Sequence, residues 1–193
     1  MNVVLQAVLP PALLNEFKCA VKECDRKPLT KAEQDRVKAA APKQCQELGT
    51  LKHECVDAKM SKNPDCRTER TYDMKARPPS VLKDASGAET QGYFAAKQAA
   101  IAAFGFMQKG RFKRPDAIFG KRAPYHVLDA KFPCSKKVRS GKVDAVNLSG
   151  GRTGAEMMGA KQRAAYQKIA NGSSKTAGTV TPVSPADAVG VKC

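Results

Sequence analysis

Asp116, Asp129 and Lys131 sit in the stretch RPDAIFGKRAPYHVLDAKF, Arg114 to Phe132, as three charges in text that otherwise reads as apolar strand. Side chains alternate faces along a strand, so Asp129 and Lys131 share a face with Val127 and Tyr125, while His126, Leu128, Ala130 and Phe132 take the other. Gly120 and Pro124 mark a turn between two strands, and a hairpin with its midpoint between Arg122 and Ala123 sets Asp116 opposite Asp129. Two carboxylates held that close raise each other's pKa unless positive charge lies between them. A divalent metal answers that need. Carboxylates and water suit Mg²⁺, with Mn²⁺ as its substitute, because such ions take few protein ligands and complete their shell with water and substrate phosphate. The chemistry expected is phosphodiester hydrolysis, with Asp116 and Asp129 holding the metal and Lys131 steadying the attacking water or the developing charge on phosphorus.

The pattern Pro115-Asp116 followed by Asp129-Ala130-Lys131 resembles the PD-(D/E)xK nuclease superfamily, the restriction-endonuclease-like fold. The same letters recur at Asp57 to Lys59, and at Pro64-Asp65 with Asp73-Met74-Lys75, but those copies lie in helical or proline-broken text. Gln162 and Tyr166, four apart on one helix face, are similar to the Gln-x-x-x-Tyr element of RecB-type members, which positions substrate or a metal-bound water. Glu89 is the candidate for the acid that many members carry on their first helix. More narrowly, HVLDAKFPC, a basic loop, the Gln-x-x-x-Tyr helix and a terminal VTPVSPAD look like the toxin domains of bacterial polymorphic toxins, including type VI secretion effectors. That resemblance implies a DNA endonuclease that is secreted and delivered into target cells, and that acts in their cytoplasm. It also implies an acidic immunity protein and secretion machinery as partners. The alternatives are a housekeeping or phage nuclease with no immunity partner, and a non-catalytic basic nucleic-acid-binding module.

The charge distribution supports a polyanion partner. The chain carries a net +16, with 16 Lys and Arg against 13 Asp and Glu in residues 1 to 90, and 18 against 5 in residues 91 to 193. A basic excess confined to one half is the electrostatic footprint of phosphate binding, although an acidic protein partner would use the same charge. Lys136, Lys137, Arg139 and Lys142 in the loop, with Lys161 and Arg163 on the helix, are the expected backbone contacts. His126 faces away from Asp129 and is expected to pack. Cys134 has no base placed to activate it.

The elements that must position these residues divide near residue 80. Residues 1 to 80 read as a helical, Cys-bearing segment: PALLNEFKCAVKEC has helical apolar spacing, Thr30 with Glu33 forms a capping box, and a third helix follows Pro42. Residues 81 to 193 read as an α/β (α+β) nuclease domain, a central mixed sheet flanked by helices in the order helix, strand, strand, helix, strand. Its first helix is the Ala-rich run ending at Gly110. RPPS, Arg77 to Ser80, is the linker. Five of the seven cysteines lie in the first third, which predicts disulfides of unspecified pairing, with a zinc site of His53, Cys45, Cys55 and Cys66 as the alternative. No apolar run reaches the roughly 20 residues of a membrane helix.

Overall fold

The computed structural model describes residues 7–105, 110–134 and 152–193. Three helices come first, α1 (Pro11–Arg26), α2 (Lys31–Ala39) and α3 (Gln44–Met60). Three short strands follow, β1 (Cys66–Thr68), β2 (Tyr72–Asp73) and β3 (Ser80–Val81), then α4 (Gly92–Phe104), β4 (Phe112–Lys113), β5 (Ala117–Phe119) and β6 (His126–Ala130). After residue 152 come α5 (Gly154–Met157), α6 (Ala160–Asn171), β7 (Thr179–Val183) and a 3₁₀ turn at Pro185–Ala188.

The strands make an α+β protein with two sheets. One is a four-stranded mixed sheet in the order β1-β5-β6-β7, and the other is a three-stranded antiparallel sheet in the order β3-β2-β4. In the first, β1 to β5 and β5 to β6 are antiparallel. Thr179 N–H bonds to Tyr125 O at 3.1 Å and Lys131 N–H to Val183 O at 2.8 Å, so the partners of β6 and β7 advance together and the two strands are parallel. A parallel pair needs a crossover, and α6 supplies it.

The chain sorts into two interleaved units, where the sequence suggests one break near residue 80. One takes Ser61–Asp129 and Gly159–Thr181 with the N-terminal residues through Leu9, and the other takes Pro10–Met60, Ala130–Met158 and Pro182–Cys193. The proline-broken text before residue 80 thus holds strands β1 and β2, and RPPS, read as the linker, runs into β3 at Ser80. Strands of two or three residues are too short to show a period of two, which is why alternation does not reveal them.

In the first unit, α4 lays Ala96, Ala99 and Ala100 against Leu82 and Phe112. The helix ends at Phe104 and not at Gly110, because Gly105 takes the left-handed conformation (φ 75°) that stops a helix with little cost only at glycine. Arg111 pairs with Asp73, Nε to Oδ1 at 2.9 Å, and the guanidinium lies 3.7 Å from the Phe104 ring centroid.

The second unit is a cystine-bound helical cluster. Phe17, Ala20, Val21 and Cys24 form the buried stripe of α1, and Leu48, Leu51, Val56 and Met60 that of α3. Thr30 and Glu33 form the expected capping box, Thr30 N–H donating to Glu33 at 2.7 Å. Disulfides join Cys24 to Cys55, Cys45 to Cys134 and Cys19 to Cys193, and Cys66 is in none of them. The zinc alternative fails because Cys45 and Cys55 are bound in cystines and are not thiolates. Inside this unit the buried Lys52 ammonium donates to Asp25 O at 2.9 Å and to the Asp25 carboxylate, and stands 5.4 Å from the Phe132 ring centroid. Burial pulls the Lys52 pKa down against the opposing pull of Asp25. His53 meets the same ring edge-on at 5.4 Å.

The run EMMGAKQRAAYQKIANG is two helices, not one, broken between Met157 and Ala160. The short α5 is seated by contact: a Cβ on Gly154 would lie 2.5 Å from Pro182 C and O, and 2.6 Å from Val183 N. Backbone atoms cannot yield cheaply. Gly154→Ala is therefore expected to lower stability by about 1–3 kcal/mol, as overpacking does, measured by urea unfolding. An unchanged midpoint would contradict this packing.

Candidate functional site

The hairpin register pairs Ala117 with Leu128, Ile118 with Val127 and Phe119 with His126. Continued by one step, it sets Asp116 opposite Asp129, as the turn midpoint implies. The two acids enter differently from the sequence expectation. FKRPDAIFG is not one strand: Phe112–Lys113 pairs in the second sheet, and Arg114 to Asp116 carry the chain across to β5. Asp116 is therefore the residue just before β5, while Asp129 lies within β6. Both are buried, at 7% and 3% exposure.

The α6 crossover brings Tyr166 to this pair. Its hydroxyl donates to Arg114 O at 3.2 Å, accepts from Gln162 Nε2 at 3.1 Å and hydrogen-bonds Asp129. Burial first, and then the charges of Asp129 and Asp116, hold the phenol well above its ordinary pKa, so it remains a proton donor. Gln162 thus fixes Tyr166, and Tyr166 ties α6 both to Asp129 and to the backbone two residues before Asp116. Four of the residues singled out from the sequence, Asp116, Asp129, Gln162 and Tyr166, lie together in the first unit.

The others are placed elsewhere or not described. Lys131 belongs to the second unit, where its backbone N–H donates to Val183 O, so the ladder runs one residue past β6. Glu89 is not on the first helix of the domain. It is a bridge residue paired with Lys83, three positions before α4, and its carboxylate meets Arg70 Nε at 3.5 Å. Lys161 is exposed and Arg163 half-buried on α6. Lys136, Lys137, Arg139 and Lys142 lie outside the described residues.

Glu69 is the acid that sequence reading missed. Thr68 pairs with Ala117, so Glu69 stands opposite Asp116, and its N–H donates to Asp116 O at 3.3 Å. Its carboxylate meets Arg114 Nε at 2.7 Å. No local spacing signals it, because the pairing of β1 with β5 joins residues about fifty apart in the chain. No group of three or more His, Cys, Asp and Glu is gathered for a metal among the described residues. An opposed pair of carboxylates still fits a hard divalent ion of the Mg²⁺ kind, which uses one or two protein carboxylates.

His126 is half-buried, with Nδ1 2.8 Å from Thr179 Oγ1, and burial holds its pKa below the ordinary value. The unfolded chain then takes up this proton at higher pH than the folded one. Stability falls as pH drops from about 6.5 toward the lower folded value, and the loss is complete below it. Between about pH 7 and pH 5 the urea midpoint of wild type is expected to fall more steeply than that of His126→Gln. Equal slopes would contradict the assignment.

What these residues define is a class: an α+β protein whose mixed four-stranded sheet, flanked by helices, carries an opposed aspartate pair beside a buried, hydrogen-bonded tyrosine. Compared with protein-family models, curated proteins and solved structures, the chain has no match in any of the three. Among the described residues no helix is long and apolar enough to cross a membrane.

Proposed function

We propose that this chain is a metal-dependent DNA endonuclease of the restriction-endonuclease-like kind, acting as a delivered antibacterial toxin. The observation that carries the reading is the register that opposes Asp116 to Asp129, with Tyr166 bound beside them. Asp116 and Asp129 would hold Mg²⁺ or Mn²⁺, which when bound supplies Lewis-acid polarisation of the phosphate and a nucleophilic water at neutral pH. Tyr166, kept protonated, would orient Asp129. Gln162 holds that hydroxyl in place. Lys131 would place its ammonium against the charge that grows on the phosphoryl oxygens.

Delivery from the producing cell draws support from the three cystines, since disulfides form and persist in oxidising compartments. An acidic immunity protein suits the charge of residues 91 to 193. The test of the role given to Lys131 is plasmid cleavage by Lys131→Ala and Lys131→Arg. Loss of one electrostatic group of this kind lowers the rate by roughly 10²–10³-fold, so Lys131→Ala is expected to fall by that much with DNA affinity in chelator retained. Wild-type cleavage by Lys131→Ala would remove the lysine from the account.

A further inference from the structure

Helix α4 is inverted. Its small residues Ala96, Ala99 and Ala100 are buried, and its large ones face out: Phe94 is 80% exposed, Tyr93 49%, Ile101 45% and Phe104 37%. Tyr93, exposed Lys97, Ile101 and Phe104 recur at spacings of four, four and three, so they form one stripe about 16 Å long at 1.5 Å per residue. Large apolar side chains gathered on one exposed helix face mark a candidate binding surface.

Two features say what it binds. The first is charge: from Gln91 to Pro115 the chain has no Asp or Glu, and it supplies Lys97, Arg111, Lys113 and Arg114 around the stripe. Two of these cations are already paired, Arg111 with Asp73 and Arg114 with Glu69, so the net positive charge of the face comes from Lys97 and Lys113. Aromatic faces rimmed by cations match a polyanion with exposed π-faces better than an apolar protein partner. The second is continuity with the acid pair. Arg114 stands 5.8 Å from the Tyr93 ring centroid, and its carbonyl accepts from Tyr166, the residue that hydrogen-bonds Asp129. Arg114 therefore joins one end of the stripe to the candidate site.

We propose that the exposed face of α4 is a stacking platform for unpaired bases, so that the substrate strand is held single-stranded as it enters the site. The inference rests on the nuclease reading for the purpose of the platform, but not for its existence. Duplex DNA keeps its base faces covered, so the platform engages single strands or locally opened ones. The Phe94 and Tyr93 rings meet edge-on, 5.7 Å apart and 72° between planes, so each takes an unstacked base on its own face while Lys97 meets the phosphates.

The experiment is fluorescence anisotropy of a labelled fifteen-nucleotide oligo-dT with the full chain in chelator, compared with a duplex of the same length. Wild type is expected to bind the single strand more tightly than the duplex. Phe94→Ala, which removes a side chain that packs little against the fold, is expected to weaken single-strand binding roughly 5- to 100-fold, the effect of losing one base stack. Duplex affinity should change less than twofold, and Tyr93→Ala should behave like Phe94→Ala. Unchanged oligo-dT affinity in both variants overturns the platform, as does equal loss of duplex affinity. Concentration-dependent self-association that Phe94→Ala abolishes, with oligo-dT affinity intact, also overturns it and makes the face a protein contact. A Phe94→Ala binding loss with no cleavage in Mg²⁺ or Mn²⁺ supports the platform and sinks the nuclease reading alone.

Discussion

Asp129→Asn is expected to cut Mg²⁺-dependent cleavage by at least about 10³-fold while leaving the protein folded, since a lost metal carboxylate removes several kcal/mol of transition-state stabilisation and about 4 kcal/mol is a factor near 10³. The substitution is nearly isosteric and keeps an oxygen for Tyr166, so the hydrogen bond that ties α6 to β6 survives and only the charge goes. Asp116→Asn should behave alike, because the two acids oppose each other across the hairpin and would hold one ion between them. The double variant should be little worse than either single one, because groups that act as a unit do not lose activity additively. Rates from plasmid nicking at saturating Mg²⁺, with thermal midpoints as the folding control, check all three. Additive losses would show that the two carboxylates do separate jobs.

The second large effect concerns stability. Removing Cys45–Cys134 as Cys45→Ala with Cys134→Ala is expected to cost about 2–5 kcal/mol, and hence about 5–20 °C in melting temperature for a chain of this size. Loop length alone ranks Cys19–Cys193, with a sequence separation of 174, above Cys45–Cys134, with 89. Packing argues the reverse. Cys45 and Cys134 both lie against the buried Val37, Leu48 and Leu51, whereas Cys193 is exposed. The Cys45–Cys134 variant should therefore melt lower than Cys19→Ala with Cys193→Ala, by differential scanning calorimetry in the absence of reductant. Phe132 is held in the same unit by Lys52 and His53. The disulfide thus closes a clamp, within that unit, on the segment directly after Lys131. The reverse order of melting temperatures would mean that chain entropy, not packing, sets the ranking.

What was legible in the sequence was what local spacing controls. The Thr30 to Glu33 capping box, the opposition of Asp116 to Asp129 and the shared helix face of Gln162 and Tyr166 each follow from a few consecutive residues and a fixed period. Illegible were the features that depend on distant pairings or on very short elements. Glu69 reaches the site only because β1 pairs with β5. The cystine partners depend on which helices meet. The end of α4 is not legible because the Ala-rich pattern runs on to Gly110, and the stop at Gly105 is a choice between two glycines that periodicity does not make. Glu89 reads as a helix acid by proximity alone, yet the Lys83 to Glu89 bridge keeps it off α4.

The central claim is that the opposed aspartates serve metal-dependent phosphodiester cleavage. Its most direct test is incubation of supercoiled plasmid with the purified chain in Mg²⁺, in Mn²⁺ and in chelator. The account predicts nicked and linear plasmid in either metal and intact plasmid in chelator, with Asp129→Asn matching the chelator lane in all conditions. Plasmid that stays supercoiled in both metals, while the protein binds it with salt-dependent affinity, would contradict the account and leave a basic nucleic-acid-binding module.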